Sequence, residues 1–369
     1  MALNCGIVGL PNVGKSTIFS ALSSTPAETA NYAFTTINPN IGIANVPDDR
    51  LAKISEIIKP KNSIQTTVEF VDIAGLVKGA SKGEGLGNQF LSHVREVGII
   101  AQVVRCFENP DIIHVNNKVD PASDIEIINM ELALSDLGTL EKRREKVEHT
   151  LQVKGKTDKK AAETELAVLE KIWPALEQGR PIRSLNLSDD EKTSIYDCHF
   201  ITAKPMLYVC NVDEEGIKTG CIHVETVQKI AAEEGAAVVV ICGKFEAELI
   251  AIEDPSERLD FLGELGLQEP GLSSLIHAAY RLLGLCTYFS TKSDECRAWT
   301  IKAGDTAPKA AGAIHTDFEK GFIKAEVYSF DDLIKYGSEA KIKEAGRYRL
   351  EGKEYIVQDG DIIFFKFNM

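Results

Sequence analysis

The feature that most constrains this chain is a glycine-rich motif at residues 9–16, with the sequence Gly-Leu-Pro-Asn-Val-Gly-Lys-Ser. It matches the pattern G-x-x-x-x-G-K-[ST] of loops that bind phosphate groups. The short, mostly apolar stretch 3–8 predicts a buried strand before it, and Ile18, Phe19 and Leu22 share one face of a helix after it. A strand, a glycine loop and a helix in this order are the context that the motif requires. The sequence therefore predicts an α/β domain with a phosphate-binding loop.

The residue types in this loop explain how it would bind phosphate. Gly9 and Gly14 let the backbone curl so that N–H groups point at phosphate oxygens, and the helix N-terminus adds donors of its own. Lys15 is predicted to reach the outer phosphates and to take part in catalysis, and the Ser16 hydroxyl is predicted to bind Mg²⁺. The predicted nucleotide-binding residues of the loop are Asn12, Val13, Gly14, Lys15, Ser16 and Thr17.

A second motif, D-x-x-G, lies at the end of the predicted strand 66–72. Asp72 is expected to hold Mg²⁺ through water, and the Gly75 N–H is expected to contact the outer phosphate. Thr36 is the predicted threonine that closes over Mg²⁺, with Thr35 as the alternative. Leu76 occupies the position where many GTPases carry a glutamine that orients the attacking water. Because leucine cannot do this, the catalytic group must come from elsewhere.

A literal guanine-reading motif, N-K-x-D, occurs at residues 117–120 but is rejected on topology. The preceding strand is predicted to end near Phe107. A base-reading motif belongs at the end of the next parallel strand, and a crossover to such a strand takes about a dozen residues or more. The intervening residues are too few, so the stretch is interpreted as a turn.

The base-reading loop is instead predicted after the strand 205–210, where it departs from N-K-x-D at Val212 and Glu214. Glu214 is one methylene longer than the aspartate that accepts both N–H donors of guanine, so we expect it to turn away. The amine of adenine needs only one acceptor, which the Asn211 side-chain oxygen or the Val212 carbonyl can supply. The predicted base-contacting residues are Asn211, Val212, Glu214, Cys242 and Gly243.

Apolar residues at helical spacing predict a helical hairpin from about residue 124 to residue 178, with a turn at 153–158 and a proline, Pro174, that should kink or end it. Residues 188–191 predict a capping box that opens a further short helix. The hairpin tip, residues 141–160, carries eight basic and four acidic side chains, a net charge of +4 in a chain whose net charge is −14. The tip, with Arg143, Arg144, Lys154, Lys156 and Lys160, is a candidate RNA-facing surface, and the alternative is a solvated helix face.

The 369 residues favour two or three domains. The predicted divisions are 1–123 with 201–285 for the nucleotide domain, 124–200 for the hairpin, and 286–369 for a compact, strand-rich module. The predicted elements of this module include a strand at 354–357 and helices near 316–320 and 330–336. Eight cysteines without metal-ligand spacing predict reduced, buried thiols in a cytoplasmic protein. No leader peptide and no membrane span are predicted.

These motifs together resemble the YchF / Obg-like ATPases over essentially the whole chain. The resemblance rests on the motif at 9–16, the segment 36–40, the glycine-rich block 71–90, the loop 211–214 and the C-terminal module. It implies an α/β fold: a Ras-like P-loop NTPase domain with an inserted helical coiled-coil hairpin and a C-terminal β-grasp (TGS-like) domain. It also implies ATP hydrolysis and association with ribosomes.

The resemblance further implies individual roles. His114 matches a histidine proposed in this family to replace the missing glutamine, and Asn12 matches an asparagine that resembles a K⁺ ligand in related NTPases. Ala33 stands where family members usually have proline. The cofactors implied are Mg²⁺ and, through Asn12, K⁺. The partners implied are ATP or GTP and the ribosome or its RNA, bound by a monomer through the hairpin and the TGS-like domain.

Three functions remain open at this point. The first is a slow ATPase that signals its state to the ribosome. The second is a GTPase that acts in ribosome assembly or translation. The third is a binding protein whose ATP-bound form is active and whose hydrolysis only resets it. A small-molecule kinase is disfavoured, because the sequence offers no substrate lid and no second acceptor site.

Overall fold

A computed structural model describes residues 3–24, 40–73, 86–111, 118–153, 156–291 and 294–368. These residues form two compact units. The first unit contains the described residues of 1–24, 37–42 and 69–278, and the second contains those of 43–68 and 279–369. The predicted Thr35, Thr36, Gly75, Leu76 and His114 lie outside the described residues.

The described strands belong to two sheets. In chain order the strands are β1 (Asn4–Val8), β2 (Ile41–Asn45), β3 (Asn62–Ile64), β4 (Thr67–Asp72), β5 (Ile99–Arg105), β6 (Met206–Asn211), β7 (Ala237–Ile241), β8 (Leu285–Thr291), β9 (Glu295–Lys302), β10 (Phe322–Ser329), β11 (Arg349–Glu351) and β12 (Asp361–Phe367). The strand order is β2-β4-β1-β5-β6-β7 in the first sheet and β11-β10-β12-β8-β9-β3 in the second.

The α-helices of the described residues are also given in chain order. They are α1 (Lys15–Ser24), α2 (Asp49–Ile58), α3 (Leu86–Glu96), α4 (Pro121–Val153), α5 (Lys156–Glu177), α6 (Asp189–Ser194), α7 (Glu214–Thr219), α8 (Ile222–Glu234), α9 (Gly243–Ala251), α10 (Pro255–Glu264), α11 (Gly271–Leu282), α12 (Ala307–Ile314), α13 (Thr316–Lys320), α14 (Phe330–Tyr336) and α15 (Glu339–Glu344).

The centre of the first sheet is parallel. β1 pairs in parallel with β4 and β5, β5 with β6, and β6 with β7. Every residue of β5 and β6 is buried, as expected for strands of a parallel sheet that is covered on both faces. Since parallel strands end at the same edge, the segments that follow β1, β4, β5, β6 and β7 converge there, where ligands of open α/β sheets bind.

The described part of the rejected motif, residues 118–120, lies directly before a helix. α4 begins at Pro121, and β6, the next strand to pair with β5, begins only at Met206. Among the described residues between β5 and α4, which are 106–111 and 118–120, none belongs to a strand. Residues 118–120 therefore precede a long helix, whereas Asn117 lies outside the described residues.

The predicted hairpin is formed by α4 and α5, which share a hydrophobic core. Its buried members on the two helices are Ala133, Leu140, Val147, Ala162, Val168, Leu169, Ile172 and Leu176. Pro174 lies inside α5, and the helix ends three residues later at Glu177. The turn was predicted at 153–158, but α4 continues to Val153 and α5 already starts at Lys156. Both helices therefore extend into the predicted turn.

Polar groups attach the base of the hairpin to the rest of the first unit. Asp136 on α4 has no exposed surface, and its carboxylate accepts the backbone N–H groups of Ile201 at 3.0 Å and Thr202 at 2.7 Å. Burial raises the pKa of Asp136 above its ordinary value, against these hydrogen bonds, which favour the ionised form. Ser188 and Glu191 form the predicted capping box at the start of α6.

The second unit combines the C-terminal residues with an earlier segment of the chain. β3 pairs in parallel with β9, and Leu51 and Ile54 of α2 are buried in a cluster with Phe289 of β8. An ion pair of 2.7 Å joins Arg50 to Asp359. Residues 43–68, which the sequence grouped with the nucleotide domain, therefore belong to the same compact unit as residues 279–369.

The predicted strand at 354–357 is wrong. This segment makes an isolated bridge between Ile356 and Thr306, and Val357 donates its N–H to the Asp305 carbonyl. Its polar groups are therefore bonded to a loop and not to a sheet ladder. The predicted helices at 316–320 and 330–336 are confirmed as α13 and α14.

Two further expectations concern the thiols and the membrane. All eight cysteines are free thiols, and seven of them are buried, whereas Cys221 is half-buried. Of the helices in the described ranges, none combines the length and the apolar composition that a membrane crossing requires.

Candidate nucleotide-binding site

The phosphate-binding loop connects β1 to α1 and has the backbone that its glycines allow. Gly14 has φ of 92°, and Asn12 has φ of 64°. A Cβ atom built on Gly14 would lie 2.1 Å from Nδ2 of Asn211. A Cβ atom on Gly9 would lie 2.9 Å from the Val103 carbonyl oxygen. Both glycines are therefore required by close approach, and Gly14 is also required by its backbone conformation.

Lys15 and Asp72 form an ion pair at the phosphate end of the site. Lys15 is the first residue of α1, and Asp72 is the last residue of β4, which pairs with β1. Their side chains are 12% and 24% exposed, so both groups keep some accessible surface. A triphosphate entering the loop would compete with Asp72 for the ammonium group and leave the carboxylate near the phosphates.

The same residues have the donor chemistry of a magnesium site. Mg²⁺ in proteins usually binds to one or two carboxylates and to phosphate oxygens, with water completing the shell. Ser16 and Asp72 offer a hydroxyl and a carboxylate at this end of the cleft. No cluster of three or more acidic, histidine or cysteine side chains that could hold a metal occurs within the described ranges.

Asn211 braces the two ends of the site. Its Nδ2 donates to the Val13 carbonyl at 2.9 Å, and its Oδ1 accepts the Gly243 N–H at 2.9 Å. Asn211 is only 5% exposed. The side-chain oxygen that the sequence offered as an acceptor for the adenine amine therefore also accepts a backbone N–H, and its second lone pair is left for a base. The side chain holds the phosphate loop against the loop that follows β7.

The rest of the base loop is occupied by helix α7. Asp213 caps α7, accepting the Gly216 N–H at 2.8 Å. Glu214 accepts a hydrogen bond of 3.1 Å from Nζ of Lys244, and this bond raises the pKa of Lys244. Val212 is only 2% exposed, so its side chain presents little apolar surface to a base.

The predicted residues of both ends line one cleft of about 1420 Å³. The lining residues that the sequence predicted are Asn12, Gly14, Lys15, Ser16, Thr17, Asn211, Val212, Glu214, Cys242 and Gly243. Val13 is buried below the loop, where its carbonyl accepts the bond from Asn211. The cleft is therefore continuous from the phosphate loop to the base loop.

Sequence reasoning missed Arg105, the last residue of β5. Its side chain is 1% exposed, and it donates to the backbone carbonyls of Phe107 at 3.1 Å and Asn109 at 3.1 Å. Its guanidinium also lies 4.7 Å from the centroid of the Phe107 ring. Because residues 107–109 line the cleft, Arg105 shapes one of its walls. An arginine at the end of an otherwise apolar strand was the only signal in the sequence.

The site combines a parallel sheet with a glycine loop after β1, an acidic residue at the end of β4 and a base loop after β6. This arrangement defines the P-loop NTPases. Residues 4–163 match the family model of the 50S ribosome-binding GTPase. Residues 285–368 match the C-terminal family of YchF GTPases, described as a protein of unknown function.

Relatives align with the whole chain. It is 54% identical over 369 residues to the ribosome-binding ATPase YchF of Escherichia coli O157:H7 and 51% identical over 371 residues to that of Bacillus subtilis strain 168, with full coverage of both chains in each case. The solved structure of the Schizosaccharomyces pombe YchF GTPase superposes with a TM-score of 0.88 at 39% identity, covering 99% of this chain and 97% of that one. The chain belongs to the YchF family.

The Asn211 brace leads to a testable expectation. Asn211→Ala removes both hydrogen bonds and leaves a buried carbonyl and a buried N–H without partners, so we expect nucleotide affinity to fall by about tenfold or more. Isothermal titration calorimetry with ATP measures the change. Asn186→Ala, at an exposed asparagine outside the cleft, is the control and should bind normally. Unchanged affinity in a folded Asn211→Ala protein would contradict the bracing role.

Proposed function

We propose that this protein is a ribosome-associated, cytoplasmic P-loop NTPase that binds and slowly hydrolyses ATP in preference to GTP, as a monomeric regulatory switch. The observation that carries the base preference is the bond between Glu214 and Lys244. Relatives of this chain bear both names, ATPase in Escherichia coli and GTPase in Schizosaccharomyces pombe, so their names leave the base open.

The bond to Lys244 supports a preference for adenine. A guanine site needs a carboxylate that accepts two adjacent N–H donors of the base. Glu214 is one methylene longer than the aspartate that usually does this, and its Oε1 is engaged by a lysine on α9. Guanine would then leave its donors unpaired in the cleft, which is costly. Adenine presents no such pair of donors, and one backbone acceptor, such as the Val212 carbonyl, suffices for its amine.

The phosphate end supports nucleotide hydrolysis with Mg²⁺. Lys15 would offset phosphate charge, and Ser16, Thr36 and Asp72 would hold the ion, which neutralises charge on the phosphate oxygens when bound. The contact between Lys15 and Asp72 supports this, because it places the ammonium and the carboxylate at the same end of the site, where a bound phosphate would compete for the ammonium. We further propose that Gly75 contacts the outer phosphate and that His114 replaces the missing glutamine.

The base preference is tested by changing the loop back toward the guanine motif. Wild-type protein is expected to bind ATP more tightly than GTP by about tenfold or more, which is about 1.4 kcal/mol. Glu214→Asp combined with Val212→Lys should shift the preference toward GTP. Calorimetric titration of both proteins with both nucleotides measures this. Glu215→Asp shortens the adjacent carboxylate and should change nothing, whereas tighter GTP binding by the wild type would favour the GTPase alternative.

Catalysis is tested at His114 and with monovalent salts. With Leu76 in the glutamine position, turnover should be slow, below the roughly 1–100 s⁻¹ of kinases. His114→Ala should lower kcat by about tenfold or more with little change in ATP affinity, and His149→Ala, at an exposed histidine of α4, is the control. If Asn12 helps to hold K⁺, turnover should be faster in potassium than in sodium. Equal rates in both salts, or an unimpaired His114→Ala enzyme, would remove the corresponding role.

The hairpin is the proposed ribosome-facing surface, but two of its predicted residues have other contacts. Arg143 forms an ion pair with Glu165 across the hairpin, and Arg144 bonds Glu148 at 2.8 Å. Their charges are therefore compensated within the hairpin, and such pairs also reinforce its two helices. Lys142, Lys146 and Lys160 are exposed and are better candidates for phosphate contacts. The TGS-like domain is the second candidate surface.

Charge reversal tests this surface. Lys146→Glu with Lys160→Glu should weaken co-sedimentation with ribosomes and reduce its salt dependence, because each lost phosphate contact lowers the slope of log affinity against log salt by about 0.7–0.9. ATPase activity should be unaffected. Lys218→Glu with Lys229→Glu applies the same charge change to exposed lysines of the first unit outside the hairpin. Normal co-sedimentation of the hairpin variant would move the contact to another surface.

A further inference from the structure

A second cavity, of about 410 Å³, lies at the base of the hairpin and shares no lining residue with the nucleotide cleft. We call it the basal pocket. Its walls come from residues 95–98, at and just after the C-terminal end of α3, and from the segment 182–204 that follows the hairpin. Its volume lies within the range of about 300–1,000 Å³ in which small-molecule sites are found.

One side of the basal pocket is apolar. Ile182, Leu187, Ile195 and Phe200 line it, and all four are buried members of the hydrophobic cluster that continues into the hairpin. Tyr196 also lines the pocket, and this large aromatic residue is 52% exposed. This lining suits the apolar or aromatic body of a ligand.

The other side is cationic. Arg95, Arg183, Lys192 and Lys204 line the pocket together with one carboxylate, that of Glu96. Arg95 donates to hydroxyl groups, Ser135 Oγ at 3.0 Å and Thr139 Oγ1 at 2.9 Å.

Lys204 donates to backbone carbonyls at the end of α3, those of Val94 at 2.9 Å and Arg95 at 2.6 Å. Neither Arg95 nor Lys204 is therefore neutralised by these hydrogen bonds. Burial, followed by the nearby charge of Arg95, lowers the pKa of Lys204 to about 8, and the Asp136 carboxylate only partly opposes this.

Arg183 provides an independent indication of a ligand. Its side chain is only 6% exposed, and its Nη2 bonds Glu234 Oε2 at 2.5 Å and Asn129 Oδ1 at 2.9 Å. Its Nε and Nη1 are buried and have no hydrogen-bond partner among the described residues. A guanidinium has five N–H donors, and leaving buried donors unpaired costs free energy. Oxygen atoms of an anion would satisfy them.

We propose that the basal pocket binds a small organic anion, with an apolar or aromatic body against the hydrophobic wall and one anionic head group among the cations. The binding site is separate from the nucleotide cleft. Because the pocket joins α3 to the base of the hairpin, occupancy would stabilise that junction.

The probe is 8-anilinonaphthalene-1-sulfonate, an aromatic anion whose fluorescence increases in apolar sites. The full-length protein, saturated with ATP and Mg²⁺ so that the cleft is occupied, is titrated with the dye. We expect saturable binding at one site, unaffected by the nucleotide. 1-Naphthoate should displace the dye, and the neutral 1-naphthalenemethanol should displace it far less. Displacement of the dye by ATP, or absence of saturable binding, would overturn the proposal, and equal displacement by both naphthalenes would overturn its anionic part.

Two substitutions at exposed lining residues locate the site. Ala203→Trp fills the pocket and should abolish dye binding. Lys192→Glu reverses one rim charge and should weaken binding by about fivefold, the effect expected of an exposed charge. Lys229→Glu makes the same charge change on α8, outside the pocket, and should leave the affinity unchanged. Both pocket variants should keep the circular dichroism spectrum of the wild type, and normal dye affinity in both would overturn the assignment.

Discussion

The structure of the nucleotide cleft depends on two hydrogen bonds made by one amide. Asn211 holds the carbonyl of Val13 in the phosphate loop and the N–H of Gly243 in the loop after β7. The amide fits only because Gly14 has no side chain, since a Cβ atom there would lie 2.1 Å from Nδ2. One side chain therefore connects the phosphate loop, the base loop and the loop after β7. A ligand that moves one of them must move the others, which is a useful property for a switch.

The parallel sheet explains why residues so far apart in the chain reach the same cleft. β1, β4, β5, β6 and β7 end at one edge, so residues at their carboxyl ends, such as Asp72 and Asn211, lie along the same edge of the sheet. The chain from α4 to α6 is inserted between β5 and β6 without disturbing their register. The hairpin can be accommodated because it buries its own core, and Asp136 fixes its base through hydrogen bonds to two backbone N–H groups.

Positive charge is concentrated in two places. The chain carries a net charge of −14, yet cations gather at the hairpin tip and around the basal pocket. Composition alone cannot separate cations that meet a partner from cations that hold the fold. Arg143 and Arg144 were equivalent to the tip lysines in the sequence, but the structure joins them to glutamates of the hairpin. Arg105 was not predicted from the sequence, and in the structure it bonds two backbone carbonyls in a wall of the cleft.

The sequence by itself determined the elements whose signals are local. The phosphate loop, the strand before the base loop, the helical hairpin, the capping box of α6 and the helices α13 and α14 follow from spacing, periodicity and capping within a few residues. Only the tertiary structure decided the role of Asn211, the pairing of Glu214 with Lys244 and the association of residues 43–68 with the C-terminal strands. These features rest on contacts between residues far apart in the chain, such as Asn211 with Val13 and Arg50 with Asp359. A side chain that can bond several partners shows which one it takes only when the fold has brought a particular partner within hydrogen-bonding distance.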